Sequence, residues 1–482
     1  MALTWVMAAP PRGTHTGAMQ TTSSTPYFDP ELIQRYDRQG PRYTSYPTAR
    51  QFESPFDVSR YLHEVRRGNE DPIPSDLSLY VHLPFCTNPC FYCGCTRVIT
   101  RDPDNLARYL QRLLHEVALQ GALFDRDRLV RQLHLGGGTP TQFNDDQLQQ
   151  LWRGLRAHFG HAARLEASIE VDPRSVTPAR MLALADLGFN RVSFGIQDLD
   201  PDVQEAVNRV QDRQHCLDVI AAAQAAGFDS VAVDLIYGLP RQSLHGFEDT
   251  LDTMVEAKVS RIAIYGYAHM PAHFKAQKHI RPEDLPDAGL RLKLLTLAVN
   301  RLSEAGYQHI GMDHFALPDD SLAQARREGH LQRNFQGYST LAGLDLVGLG
   351  MSAISHVGRA YAQNAKTLDT YYSALDEGRL PVVAGLVMSD DDLLRADLIN
   401  RLMCYDQVRF DDIERRHGVD CWDYFAPELA RLKPLIQDGL VELDPGGIRV
   451  TAKGRFLLRA LAMQFDAYLP GPDGNPLYSR VI

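Results

Sequence analysis

No run of this chain approaches the roughly 18 consecutive apolar residues of a membrane span, so insertion into a bilayer is not expected. Positive charge is not in excess either: 50 Lys and Arg stand against 60 Asp and Glu, a formal net charge of −10. Proteins that track a nucleic-acid backbone carry a basic surface. Nucleic acid is therefore not an expected partner, and an anionic ligand would need a local basic patch inside an acidic protein. A disulfide framework is missing as well. The seven cysteines are odd in number; Cys86, Cys90, Cys93 and Cys95 sit together, and Cys216, Cys404 and Cys421 are scattered. The apolar stretch within Met1–Thr25 is short, broken by proline and preceded by no lysine, unlike a secretion signal. Its composition suits disorder over residues 1–26, with Met19 an alternative start. Clustered thiols without such a signal point to the reducing cytoplasm and to a metal.

What is present reads as an ordinary globular chain, 44% hydrophobic and 23% charged over 482 residues. Strand candidates fall at Leu77–Leu83, Gln132–Leu135, Leu165–Val171, Arg191–Ile196, Ser230–Ile236, Arg261–Tyr265 and Gln308–Met312. Between them Asn105–Ala122, Asp145–His158, Pro178–Leu187, Arg213–Ala226 and Leu285–Glu304 carry helical periodicity, with Gly188 and Gly227 at C-cap positions. Repeated strand–helix units predict an α/β fold with a parallel sheet, closed fully or partly into a barrel. Chemistry in such barrels gathers at the C-terminal strand ends. Cys86, Gly136–Gly138, Glu170–Asp172, Gln197, Asp234 and Ala268 lie at or just after those ends. From Ser389 the pattern turns mainly helical, with Asp390–Met403 and Phe425–Gly439, a hairpin around Asp444–Gly447 and a helix over Lys453–Phe465. That succession predicts a winged-helix-like unit in a packing or lid role.

The cysteine spacing is C-x3-C-x2-C-x-C. Soft thiolates suit an iron–sulfur cluster, zinc or copper(I). A four-cysteine zinc site usually takes two well-separated pairs, which one short loop fits badly. A cluster held by three cysteines would leave one iron open to a small chelating ligand. One with Cys95 as fourth ligand would be a plain electron carrier, and spacing alone leaves both open.

The flanking residues carry a resemblance. Cys86-Thr-Asn-Pro-Cys90-Phe-Tyr-Cys93 looks like the motif of the radical S-adenosylmethionine (SAM) superfamily. Pro41–Ala49, Tyr80–Cys86, Gly94-Cys95, Gly136–Pro140, Ser168–Pro173, Gly195–Asp198, Asp234–Pro240 and Arg333–Tyr338 together resemble the oxygen-independent coproporphyrinogen III oxidases, from Tyr27 to the C-terminus. The resemblance implies a partial radical SAM barrel over 61–388, a substrate-covering segment over 27–60 and a helical domain over 389–482. It implies a 4Fe–4S cluster on Cys86, Cys90 and Cys93 and two SAM molecules. Tyr80, Gly137, Glu170 and Ile354 match positions lining the first SAM. Tyr92, Gly138, Thr139, Gln197, Arg209, Asp234 and Ala268 match the second, with Cys95 beside it; Cys95 and Tyr80 are the expected catalytic residues. The implied reaction turns two propionates of coproporphyrinogen III into vinyl groups, giving protoporphyrinogen IX in haem biosynthesis. An electron donor, a terminal acceptor and a monomer are also implied. A haem chaperone of the same superfamily is the alternative; a haem-degrading methyltransferase should lack the Pro41–Ala49 motif.

Several of these residues have plain readings too. The glycines alone would suit a tight turn, Glu170 and Asp234 a rim salt bridge, Arg209 a solvated helix, and Ala268 and Ile354 core packing. Tyr92 replaces the phenylalanine associated with its slot, so its hydroxyl needs a partner if buried. Arg42 and Arg333 are candidates for gripping the substrate carboxylates, because guanidinium matches carboxylate.

Overall fold

The computed structural model describes residues 27–469 together with Tyr478 and Arg480; the expected disorder of 1–26 falls outside them. Six parallel strands form the central sheet: β1 Leu77–Leu83, β2 Val130–Gly137, β3 His161–Val171, β4 Arg191–Gln197, β5 Ser230–Tyr237 and β6 Arg261–Gly266. Each leads into a crossover containing a helix, which places helices outside a curved sheet. The two-residue period divides the faces. In β1, Leu77, Leu79, Val81 and Leu83 are fully buried in the main core, while Tyr80 alternates with them onto the inner wall. Local signals end the helices where expected. Asn144 and Gln147 form a capping box before Asp145–His158, and Gly188, at φ 115°, closes Pro178–Leu187.

The sheet extends beyond those six. On one side lie β7 Gln308–Gly311 and β8 His314–Ala316; on the other, β9 Asp345–Leu349, β10 Ile354–Val357, β11 Ala360–Asn364 and β12 Val382–Val387. The order is β12-β11-β10-β9-β1-β2-β3-β4-β5-β6-β8-β7, open at both edges: a partial barrel. The expected strand at Gln308–Met312 therefore does not join β6; the three-residue β8 lies between them, antiparallel to both.

Two expected C-terminal helices are corrected. Phe425–Gly439 is instead two short pieces, Ala426–Arg431 and Lys433–Gln437, preceded by a four-residue turn of helix at Cys421–Tyr424. Pro427 and Pro434 each open a new helix, since proline lacks the N–H that would continue the old one. Lys453–Phe465 becomes 3-10, α and 3-10 turns, buried on nearly every side. Helix Asp390–Tyr405 and the hairpin Val441–Asp444/Gly447–Val450 form, and strand Gln407–Arg409 joins the hairpin. This C-terminal core also takes in Leu32, Ile33, Tyr36, Tyr43 and Tyr46, so the N-terminal segment packs into it.

Arg128, just before β2, joins the sheet's two halves. Its side chain is 0% exposed, pairs with Asp345 at the start of β9, and donates to the Ser75 carbonyl at 2.9 Å. Removing one partner of a buried pair costs about 3–5 kcal/mol. Chemical denaturation of Arg128→Ala should show a loss of that order. Arg131→Ala, which breaks an ion pair with Asp76 from a 48% exposed side chain, should cost no more than about 1 kcal/mol.

Candidate functional site

The inner wall of the barrel is polar. Alternate residues of β2 to β6 line a cavity of about 160 Å³. Toward the strand starts, Arg191 pairs with Glu166 at 3.0 Å and Arg261 with Asp320 at 2.8 Å. Toward the C-terminal ends the cavity carries His134, Glu170 and Asp234. Glu170 Oε1 meets His134 Nε2 at 3.1 Å, and its Oε2 accepts from the Gly137 N–H at 3.1 Å. Its 43% exposure is to this cavity. Burial alone would raise the Glu170 pKa, but His134 and the Gly137 N–H outweigh it and hold the carboxyl below its usual value. Asp234 has weaker help, one bond from Ser193 Oγ at 3.2 Å. Burial and the negative charge of Glu170 push it up to about 7. Tyr80 stacks on His134 with centroids 5.7 Å apart, and its hydroxyl lies 3.2 Å from His82 Nδ1.

Above this wall stands the cysteine loop, pinned where Phe85–Cys86 pairs with Val98–Ile99. Arg97 donates to the carbonyls of Cys90, Cys93 and Cys95 at 3.3, 3.0 and 3.3 Å. Each of the three expected ligands also has a donor at its sulfur. Thr139 Oγ1 lies 3.5 Å from Cys86 Sγ, Arg174 and Arg209 approach Cys90 Sγ at 3.6 and 3.5 Å, and the Cys95 N–H donates to Cys93 Sγ at 3.4 Å. The Cys95 thiol bonds to Cys93 as well, holding the Cys93 pKa down; Cys95, beside that charge, is pushed up. Donors on sulfur stabilise thiolates, the form that ligates iron, although burial outweighs Thr139 at Cys86 and pushes its thiol up to about 11. Among the described residues no three His, Cys, Asp or Glu side chains converge on a single-ion position. Three separately served thiols in one loop fit the corners of a cluster better than a mononuclear zinc site.

The second group of expected residues forms the rim. Gln197 ends β4 with φ 68°, a left-handed conformation that costs energy outside glycine. Its amide and the Arg209 guanidinium converge above Gly195, where a Cβ would meet them at 2.8 and 3.3 Å. Arg209 is buried, not a solvated helix residue: it pairs with Asp172 at 3.0 Å, and its Nε has no partner among the described residues. Arg174 Nη2 donates at 2.7 Å to the same Asp172 Oδ2 that Arg209 uses. Gly138 has a packing reason as well, since a Cβ there would come 2.7 Å from the Phe85 carbonyl oxygen. Ile354 begins β10 with its backbone against Gly348, the register partner of Tyr80, so both reach the same level of the wall. The carbonyls of Tyr92 and Ala268 accept from Gln277 at 3.0 and 3.1 Å, which ties the cysteine loop to the turn after β6.

Arg333 is buried, stands over Tyr338 at 4.8 Å and donates to the Arg42 carbonyl at 3.2 Å, and its Nη1 has no hydrogen-bond partner among the described residues. Arg42 pairs with Asp313 and lies 5.5 Å above Tyr265, which walls the barrel interior. Sequence reasoning missed Arg174, His134 and Arg97. The signal for His134 was its place two residues before Gly136 on a strand of period two; Arg174 adjoins the Ser168–Pro173 motif.

A model of the radical SAM superfamily matches residues 80–254, and one of the HemN C-terminal domain matches 388–457. An oxygen-independent coproporphyrinogen III oxidase of Pseudomonas aeruginosa is 45% identical over 457 residues, 94% of this chain and 99% of the relative. The chain belongs to the oxygen-independent coproporphyrinogen III oxidases. The Escherichia coli oxidase is also 45% identical, over 94% of this chain and 98% of its own. A solved structure of coproporphyrinogen III oxidase (HemN) from Escherichia coli, described as a radical SAM enzyme, matches with a TM-score of 0.88 and 43% identity over 92% of this chain and all of that one. The cofactors of this family are a 4Fe–4S cluster and SAM. Among the described residues no helix is long and apolar enough to cross a membrane.

The raised Asp234 gives a pH signature. A carboxyl whose pKa is higher folded than unfolded binds its proton more tightly in the native state, so stability falls as pH rises from about 4 to about 7. Asp234→Asn removes that loss. Thermal melting of the cofactor-free chain should show no difference near pH 4 and a variant more stable by up to about 4 kcal/mol above pH 7.

Proposed function

We propose that this chain oxidatively decarboxylates two propionates of coproporphyrinogen III to vinyl groups, giving protoporphyrinogen IX, and works as a monomer in the cytoplasm. Near full-length identity to enzymes of that name carries the reading; the site supports it. Cys86, Cys90 and Cys93 would hold the cluster and leave one iron for SAM. Tyr80, Gly137, Glu170 and Ile354 would line the first SAM. Tyr92, Gly138, Thr139, Gln197, Arg209, Asp234 and Ala268 would line the second, with Cys95 beside it.

When bound, cluster and SAM supply a carbon radical able to take a hydrogen atom from the β-carbon of a propionate. This chain's own groups bind and orient. Glu170, kept ionised by His134 and the Gly137 N–H, accepts from an ammonium group. Asp234, poised near neutrality, suits ribose hydroxyls. The free Nε of Arg209 offers one more donor at the rim. Per propionate, one hydrogen atom, one carbon dioxide and one electron leave. The electron passes to a separate acceptor, and a separate donor reduces the cluster.

Anaerobic reconstitution with reductant, SAM and coproporphyrinogen III should yield protoporphyrinogen and 5′-deoxyadenosine. SAM cleavage without decarboxylation, or tight haem binding without turnover, would overturn the reading. Serine at Cys86, Cys90 or Cys93 should abolish the iron–sulfur absorbance. Cys95→Ser should keep that absorbance and lose about 10- to 100-fold in turnover; losing the absorbance instead would make Cys95 a cluster ligand.

A further inference from the structure

A second cavity, of about 570 Å³, opens beside the barrel mouth, within the size range of small-molecule sites. Four parts of the chain build it. Tyr237, Tyr267 and Ala268 come from the ends of β5 and β6 and the turn beyond, Arg42 from the N-terminal segment, Arg291 from helix Ala288–Glu304 and Arg459 from the C-terminal domain. Arg480 completes a set of four arginines facing one carboxylate, Asp313. In a chain of net charge −10 that is a concentrated reversal of sign.

The arginines are not equivalent. Asp313 already pairs with Arg42, and Asp37 with Arg480 at 2.8 Å. Arg291 is half-buried and makes no ion pair or side-chain hydrogen bond among the described residues. Arg459 is 3% exposed and donates to the main-chain carbonyls of Gly40, Pro41 and Arg480. Those bonds fix its guanidinium at the cavity wall. Burial and the nearby charge of Arg42 push its pKa down to about 9, a cost that an anion in the cavity would offset. Tyr237, Tyr267, Met270 and Pro271 give the same cavity broad apolar walls. Cationic points around an apolar floor match a flat macrocycle edged with carboxylates.

We propose that Arg291 and Arg459, with Arg42, bind the propionate carboxylates of the tetrapyrrole substrate in this cavity. The assignment rests on the function proposed above. It deepens that function by naming a carboxylate site separate from the residues expected to hold SAM, Ala268 being the one they share. Arg333 becomes a positioning residue, acting through the Arg42 backbone.

Coproporphyrin III, the oxidised coloured form of the substrate, is a direct probe. Titrated by fluorescence into the reconstituted chain with SAM, it should bind Arg291→Met about 10- to 100-fold more weakly than wild type, the loss of one charge-assisted pair. The KM for coproporphyrinogen III should rise with it. Arg291→Lys, which keeps the charge, should recover part of the affinity, and the effect of the Met variant should shrink as salt is added. Arg459→Met should weaken binding too; because Arg459 also supports Gly40 and Pro41, its melting temperature is read alongside. Unchanged affinity in Arg291→Met, or equal losses in the Met and Lys variants, would overturn the assignment and leave the proposed reaction standing. Failure of the wild-type chain to bind coproporphyrin III would overturn both.

Discussion

Charge buried inside a barrel has to be paired, and that constraint organises this molecule. The inner faces of β2 to β6 carry Glu166, Arg191, Glu170, Asp234 and Arg261 where a plain barrel would carry aliphatic layers. Uncompensated, each would cost several kcal/mol. Near the strand starts each carboxylate has its arginine, Arg191 on Glu166 and Arg261 on Asp320, although the Nε of both arginines is without a partner among the described residues. Near the C-terminal ends it is deliberate but unfinished. Glu170 is satisfied by His134 and a backbone N–H, Asp172 by two arginines, while Asp234 has one hydroxyl and Arg209 keeps one donor unused.

The same charges link wall to cysteine loop. Asp172 holds Arg174 and Arg209, and both reach Cys90 Sγ. The end of β3 thus bears on one thiol of the loop, and Thr139 after β2 on another. Around the second cavity the pattern recurs on a larger scale. The N-terminal segment and C-terminal domain share one apolar core, and side by side they present Arg42 and Arg459 to the second cavity. Covering the barrel and assembling the arginines are one act of packing.

Much of this was legible in sequence because the signals were long and local. Six parallel strands came within a few residues of their bounds, since each is a Val/Ile/Leu-rich run ended by a polar or glycine residue. The cysteine loop, the glycine run and the two carboxylates fell at strand ends because a parallel barrel sends all those ends to one rim. The edge strands were not legible: β8 has three residues and β9 to β11 four or five, too few to show a period. The broken C-terminal helices were partly legible, as Pro427 and Pro434 were visible, but the burial that reshapes Lys453–Phe465 is tertiary. Arg333 and Arg459 show the limit most plainly. Both are buried, Arg333 in the short hairpin Gln332–Asn334/Gly337–Ser339 and Arg459 in the C-terminal domain, and only the fold places one against the Arg42 backbone and the other at a cavity wall.

In the proposed reaction the three-thiol loop and the polar rim direct a radical at the propionates of a tetrapyrrole. Coproporphyrinogen III carrying deuterium at the propionate β-carbons, followed through a single anaerobic turnover, reports where that radical acts. Deuterium should appear in the 5′-deoxyadenosine recovered, together with release of carbon dioxide. Unlabelled 5′-deoxyadenosine alongside vinyl product would contradict the proposed reaction, because the hydrogen would then have been removed by some other route.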